Sequence, residues 1–228
     1  MIDMEIIVYA LLGGILPALV WLAFWLYEDY RHPEPRGLIL KTFLLGMVAV
    51  LFVLPFQKVV DAFLPGTTAL TILLWVILEE VFKFVAAYLG GLRSVEDNEP
   101  IDPLVYMITA ALGFVALENA LFIFGPLIGE DIIRSVITGN LRFIGASLLH
   151  VVSSGIIGVA LAFSFYTSRR KRIALTLFAL SLAIISHTGF NLAMIRLNNA
   201  GATFTFGLVW MGVILLLWAF ERIKKIAR

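Results

Sequence analysis

Seven long apolar stretches run through this chain, at about 5–27, 37–56, 69–90, 103–124, 140–166, 173–195 and 203–220. A helix needs about 20 apolar residues to cross the roughly 30 Å hydrocarbon core of a bilayer, and each stretch is of that order. The composition agrees: 61% of residues are apolar and 14% charged, and mean hydropathy is +0.99. A soluble domain is roughly half apolar and about a quarter charged, so the chain reads as an all-α, polytopic membrane protein of about seven helices. The 18 Phe and 5 Trp rule out disorder. The absence of Cys removes disulfides, thiolate nucleophiles and Cys-ligated zinc. A net charge of +1, with 169–172 as the one compact basic block in mid-chain, excludes nucleic acid as a partner.

The breaks between stretches carry turn chemistry. Pro33 and Pro35 follow the first, Pro65 and Gly66 precede the third, and Gly125-Pro126 close the fourth. Asp102-Pro103 is a favourable helix start, because Asp accepts free amides and Pro at the first helical position forfeits no bond. The first stretch does not read as a cleaved signal peptide, since its leader carries Asp3 and Glu5, no Lys or Arg, and no small-residue cleavage site follows. No repeat or separate soluble segment is visible, so residues 1–228 are expected to form one transmembrane unit.

Lys and Arg concentrate on the cytoplasmic side of membrane proteins. With the N-terminus outside, Arg31, Arg36, Lys41, Arg93, Arg169, Arg170, Lys171, Arg172, Arg222, Lys224, Lys225 and Arg228 are cytoplasmic. Lys58, Arg134, Arg142 and Arg196 are outside, and Lys83 lies within a span. Twelve against four predicts an outside N-terminus and a cytoplasmic C-terminus.

Ionisable groups inside a bilayer cost a few kcal/mol each even on mild scales, so each needs a reason. The third stretch holds Glu79, Glu80 and Lys83, and the fourth Glu118 and Asn119. The fifth holds His150, then Ser153 and Ser154, and the sixth His187 and Asn191; the remaining histidine, His32, is in a loop. Counting residues at a 1.5 Å rise puts Glu79, Glu118, His150 and His187 in one layer, roughly 9–15 Å below the outer surface. Lys83 can pair with Glu79 at a spacing of four or Glu80 at three. One glutamate is thus expected in an ion pair and the other free as a base. Two imidazoles and a carboxylate make a hydrolytic zinc set with a fourth position for water and a further Glu as base. The expected metal ligands are Glu118, His150 and His187. Serine chemistry fits less well, because no Asp within a span orients a histidine and there is no GxSxG.

The ordered set Glu-Glu-x-x-Lys (79–83), Phe-x-x-x-Glu-Asn (114–119), His150 and His-x-x-x-Asn (187–191) resembles the PrsW family of intramembrane proteases. That family is grouped with the type II CAAX prenyl endopeptidases and the bacteriocin-processing membrane proteases. The loop from Tyr27-Glu28-Asp29-Tyr30 to Glu34-Pro35 resembles the family's acidic loop, and Glu118 in place of the histidine of FxxxH favours PrsW over the prenyl peptidases. The resemblance implies a protease of the prokaryotic cytoplasmic membrane, cutting near the extracytoplasmic side a substrate such as a single-span anti-sigma factor. It makes Glu79 and Glu80 the base and its ion-paired neighbour. Glu118, His150 and His187 complete the site, with Lys83, Asn119 and Asn191 in support.

Each group also has a structural reading. Glu79, Glu80 and Lys83 could lock helix packing, Glu118 and Asn119 could be a protonated interhelical pair, and the histidines could be packing donors. Ser153 and Ser154 read with Gly155 and Gly158 as a small-residue face for close helix approach. Arg142 reads as an outer-interface residue snorkelling to the headgroups, and the basic runs 169–172 and 222–228 as topology determinants. Two rival functions use the same groups: a proton- or cation-coupled transporter, and an inactive scaffold. An odd span count and the lack of matching broken helices oppose the first; retention of both Glu79 and Glu80 opposes the second.

Overall fold

A computed structural model describes residues 4–30, 33–64, 66–196 and 199–226, and shows helices and no strand among them. Asp3, Arg31, His32, Pro65 and Arg228 lie outside the described residues. The helices are α1 (Met4–Glu28), α2 (Arg36–Phe63), α3 (Ala69–Ala87), α4 (Asp102–Ile128), α5 (Ile132–Leu141), α6 (Ser147–Phe163), α7 (Arg169–Arg196) and α8 (Asn199–Ile223). Two π-turns interrupt the order, Tyr88–Leu92 after α3 and Arg142–Ala146 joining α5 to α6.

Six helical stretches are long and apolar enough to cross a membrane: α1, α2, α4, Ile132–Phe163, α7 and Thr203–Ile223. The seventh expected span is α3, which carries Glu79, Glu80 and Lys83 and packs between α2 and α7. Lipid offers no partner to backbone amides, so helices that satisfy their own are the solution such a sequence adopts.

Three boundaries differ from expectation. α2 continues through Pro55 to Phe63, and α4 through Pro126 to Ile128. The fifth stretch begins at Ile132, with α5, the π-turn and α6 forming one run of 32 residues. A neighbouring helix can hold a backbone that proline has partly unpaired, so proline closes a helix in lipid less reliably than in water. Asp102 does open α4, but its Oδ2 accepts the upstream amides of Asn98 (2.8 Å) and Glu99 (2.7 Å).

α4 and α6 form the centre. In their most apolar windows 72% of α4 and 67% of the α6 run are buried, against 22–39% for α1, α2, α7 and α8. Glycine lets α1 and α2 reach α4 backbone to backbone. A Cβ at Gly14 would lie 2.3 Å from the Ala116 carbonyl oxygen, one at Gly46 2.2 Å from that of Ala110, and one at Gly113 1.9 Å from that of Phe43. Gly155 makes room for the Leu216 side chain, and Gly158 for the backbone and side chain of Leu104. With no solvophobic drive between helices in lipid, this close packing is what holds them.

At the end where α1 finishes, Tyr106 OH donates to Glu34, tying the α1–α2 loop to the start of α4. Burial pushes the Glu34 carboxyl up to about 8, helped by its neighbours Asp102 and Asp29. Burial, with Asp102 and Glu99 nearby, pushes that of Asp29 up to about 7.

Candidate active site

The six ionisable groups singled out within the spans converge in the other half of the bundle, where α1 begins and α2 ends. α3 supplies Glu79, Glu80 and Lys83, all buried. Glu80 and Lys83 are three apart, so they share a helix face, and Lys83 Nζ lies 2.6 Å from Glu80 Oε1 with both side chains fully buried. The same oxygen accepts from Ser153 Oγ at 2.9 Å and from His187 Nδ1 at 2.7 Å. Glu80 is therefore the hub that ties α3 to α6 and α7.

Those bonds decide the histidine tautomers. An ammonium has only protons to give, so His150 Nδ1, 3.2 Å from Lys83 Nζ, is an acceptor. Its ring proton then sits on Nε2, which faces Glu118 Oε2 at 3.2 Å. His187 is the reverse. Its Nδ1–H is given to Glu80, so in the neutral ring the Nε2 lone pair faces Glu79 Oε2 at 3.6 Å. The two imidazoles meet edge to face with centroids 4.7 Å apart, and Phe114 stacks on His150 from the other side at 5.7 Å.

Among the described residues no Lys or Arg pairs with Glu79. Gln57 Nε2 donates to its Oε1 at 3.0 Å, while Oε2 is buried with no hydrogen-bond partner among the described residues. Glu79 Oε2 and His187 Nε2 thus face each other across 3.6 Å, longer than a direct hydrogen bond. Buried polar atoms are rarely left unpaired, and the gap calls for a proton shared with a water, or for a cation. Donor atoms of Glu79, His150 and His187 all lie within 4.8 Å of one another, and all three residues are buried.

Glu118 is placed differently from the expected metal ligand. Arg142 Nη2 pairs with its Oε2, Arg142 Nε donates to Asn119 Oδ1 at 2.5 Å, and Asn119 Nδ2 donates to Ser147 Oγ at 3.0 Å. Arg142, read as snorkelling to the surface, instead turns inward with its guanidinium 3.9 Å from the Phe122 ring centroid. Ser153, read as packing, is a polar tie to Glu80. Gln57 and Arg142 were not expected at the site. A single polar residue near a helix end gives no sign of which face it occupies.

A cavity of about 510 Å³ opens over the cluster, lined by Glu79, Glu118, His150, His187, Gln57, Arg142 and Asn191 among apolar side chains that include Trp75 and Phe190. Asn191 stands one turn beyond His187 on α7. The chemical content is thus one unpaired carboxylate and one free imidazole lone pair at the floor of a chamber large enough for a peptide segment.

Residues 34–219 match the family described as PrsW family intramembrane metalloprotease. The protein named Protease PrsW of Halalkalibacterium halodurans is 24% identical over 224 residues, covering 94% of this chain and 95% of the relative. That of Shouchella clausii is 24% identical over 219 residues, covering 95% and 96%, and that of Bacillus subtilis 23% over 189 residues, covering 82% and 83%. No solved structure matches the chain. The family match and the spanning helices make this a multi-pass protein of the cell membrane and a protease acting on membrane proteins. The match takes in most of the chain, including every group of the buried cluster, and the chain belongs to the PrsW family of intramembrane metalloproteases.

Proposed function

We propose that the chain hydrolyses a peptide bond of a single-span membrane protein with water held between Glu79 and His187, beside His150. The supporting observation is the unpaired Glu79 Oε2 opposite the His187 Nε2 lone pair on the cavity floor. Water there is oriented by two acceptors. Its oxygen adds to the carbonyl carbon, its proton passes to the Glu79 carboxylate, and the C=O π pair moves onto the carbonyl oxygen. Collapse restores the C=O, breaks the C–N bond, and the leaving amine takes the proton from Glu79. Glu80 and Lys83 hold His187 and His150 in their tautomers.

The metal that the family name implies fits the donor set of this site. A carboxylate and two imidazoles suit a hydrolytic ion with a position left for water; Glu79 and His187 would hold it, and His150 would join them once its ring proton leaves Nε2 for Nδ1 and Lys83 turns aside. When bound, zinc or a similar ion lowers the pKa of water and polarises the carbonyl. Glu80 against His187 Nδ1 is the carboxylate–histidine pairing that orients such ligands.

The cavity lies in the half of the bundle where α1 begins. The twelve-to-four Lys and Arg asymmetry supports placing that half outside, with seven spans and a cytoplasmic C-terminus. Cleavage would then fall near the extracytoplasmic side, as for an anti-sigma-factor-like substrate. The substrate helix unwinds in the chamber, because a helical peptide bond shields its carbonyl carbon.

Glu79→Gln keeps shape and hydrogen bonding but removes the base, a contribution of about 10²–10⁴-fold. In reconstituted protein it should abolish cleavage of a single-span substrate while thermal stability and substrate binding persist. Wild-type cleavage by Glu79→Gln, or Glu118-dependent proton flux in liposomes without proteolysis, would overturn the reading.

A further inference from the structure

The hydrolysis proposed above needs a partner for the charge that develops on the carbonyl oxygen, at a depth where water screens little. Preorganised donors at 2.7–3.1 Å from that oxygen are often the largest single catalytic term in acyl transfer. The donors near the cavity floor are few, and several are committed. Gln57 Nε2 is given to Glu79, and the His150 Nε2 proton to Glu118. Lys83 is fully buried against Glu80 and His150. Trp75 Nε1 meets no acceptor among the described residues, and the Asn191 amide also lines the cavity, but both are neutral donors.

Arg142 is different. Of the five N–H donors on a guanidinium, Nε goes to Asn119 and one from Nη2 to Glu118. No acceptor among the described residues meets the other three, although the side chain is only 15% exposed and lines the cavity. Its plane is fixed by Phe122 beneath it. It is also next to the chemistry, because Glu118 Oε2 touches both Arg142 Nη2 and His150 Nε2. A second feature aims it there. Arg142 opens the π-turn between α5 and α6, where the extra residue rotates the chain out of α-helical register. That turn is clamped by Gly145, at which a Cβ would lie 1.7 Å from the Phe206 ring. Isolated π-turns occur often at functional positions.

We propose that the spare N–H groups of Arg142 receive the scissile carbonyl oxygen and stabilise its negative charge, opposite the water held by Glu79. This rests on the hydrolytic reading. It makes Arg142 a catalytic residue and gives the chamber two sides, a nucleophile side on α3 and α7 and an electrophile side at the α5–α6 π-turn. Charge-assisted donors are roughly twice as strong as neutral ones, which favours Arg142 over Trp75 and Asn191.

The test uses the full chain in liposomes with a quenched-fluorescent single-span peptide, and peptide-aldehyde binding against that of the matching alcohol. Arg142→Gln should lower kcat by about 10²–10³ with KM little changed. It should also erase the preference for the aldehyde, whose hydrate mimics the tetrahedral species. The kcat loss should persist in a Glu118→Gln background. If Arg142→Gln does not fold, Arg142→Lys carries the test: it keeps a cation for Glu118 but loses the fork, and should lose kcat and aldehyde preference together. A loss that vanishes in the Glu118→Gln background, or one that moves KM alone, would show that Arg142 only holds Glu118 or substrate. Wild-type rates with an inactive Glu79→Gln would sink this inference alone; an active Glu79→Gln would sink the hydrolytic reading beneath it.

Discussion

Lys83 is the residue on which the buried charges turn. Its ammonium satisfies Glu80 and forces His150 into the tautomer that faces Glu118. Removing one member of a buried pair leaves a charge in low dielectric, at a cost of about 3–5 kcal/mol. Lys83→Met should therefore lower the thermal midpoint sharply and abolish cleavage, whereas Lys224→Met, at a partly exposed pair with Glu221 and Glu28, should do neither. Metal content separates the two ligand sets. If the ion sits on Glu79, His150 and His187, then His150→Ala and His187→Ala lose it, and Glu118→Gln keeps it. Glu80→Gln should weaken it by about 10–100-fold, because Glu80 only orients His187. Elemental analysis of purified variants reads all four. The spacings in the sequence allowed Lys83 to pair with either glutamate. Only the position of His187 and Ser153 on other helices singled out Glu80.

Among the helices, α4 carries both the central packing and two site positions, so its register matters most. Gly113 lies against the Phe43 carbonyl with no room for a methyl group, and Phe114 and Glu118 follow on the same helix. Overpacking commonly costs about 1–3 kcal/mol, and a backbone neighbour cannot move aside as a side chain can. Gly113→Val should destabilise the protein by that order or more and shift Glu118, reducing cleavage. Gly37→Ala, near the start of α2 with nothing within 4 Å, should leave the thermal midpoint unchanged or slightly raised. The apolar run of α4 was plain in the sequence. Its central place was not, since any of seven similar helices could have held it. The α5–α6 π-turn was equally hidden, because one extra residue in a turn leaves no compositional trace.

For the molecule as a whole, the two ends of the bundle have opposite characters. One end holds the cavity; the other holds the clasp of Tyr106, Glu34 and Asp102. Glu34 has a folded-state pKa raised from 4.5 to about 8, so it stays protonated in the folded protein while the unfolded chain would lose the proton. The stability that buried, protonated Glu34 contributes is therefore fully present below about 4.5 and is lost as pH rises through about 8, burial outweighing the Tyr106 bond that favours its ionised form. Thermal midpoints should fall across that window, and Glu34→Gln, which cannot ionise, should flatten the fall; an unchanged slope would remove Glu34 as its source. Orientation is tested by a reporter fused after Arg228, which should be active only in the cytoplasm. What the amino-acid order determined by itself was the all-α, membrane-spanning class and the short roster of groups able to do chemistry. Long apolar runs leave a chain in lipid few other folds, and buried charge is costly enough to mark function. What only the tertiary structure decided was the partnership: Glu80 with Lys83 and His187, Glu118 with Arg142, and Glu79 left open to the cavity. Apart from Glu80 with Lys83, those pairings join residues on different elements, and their geometry is set by glycine contacts and a π-turn that act through space.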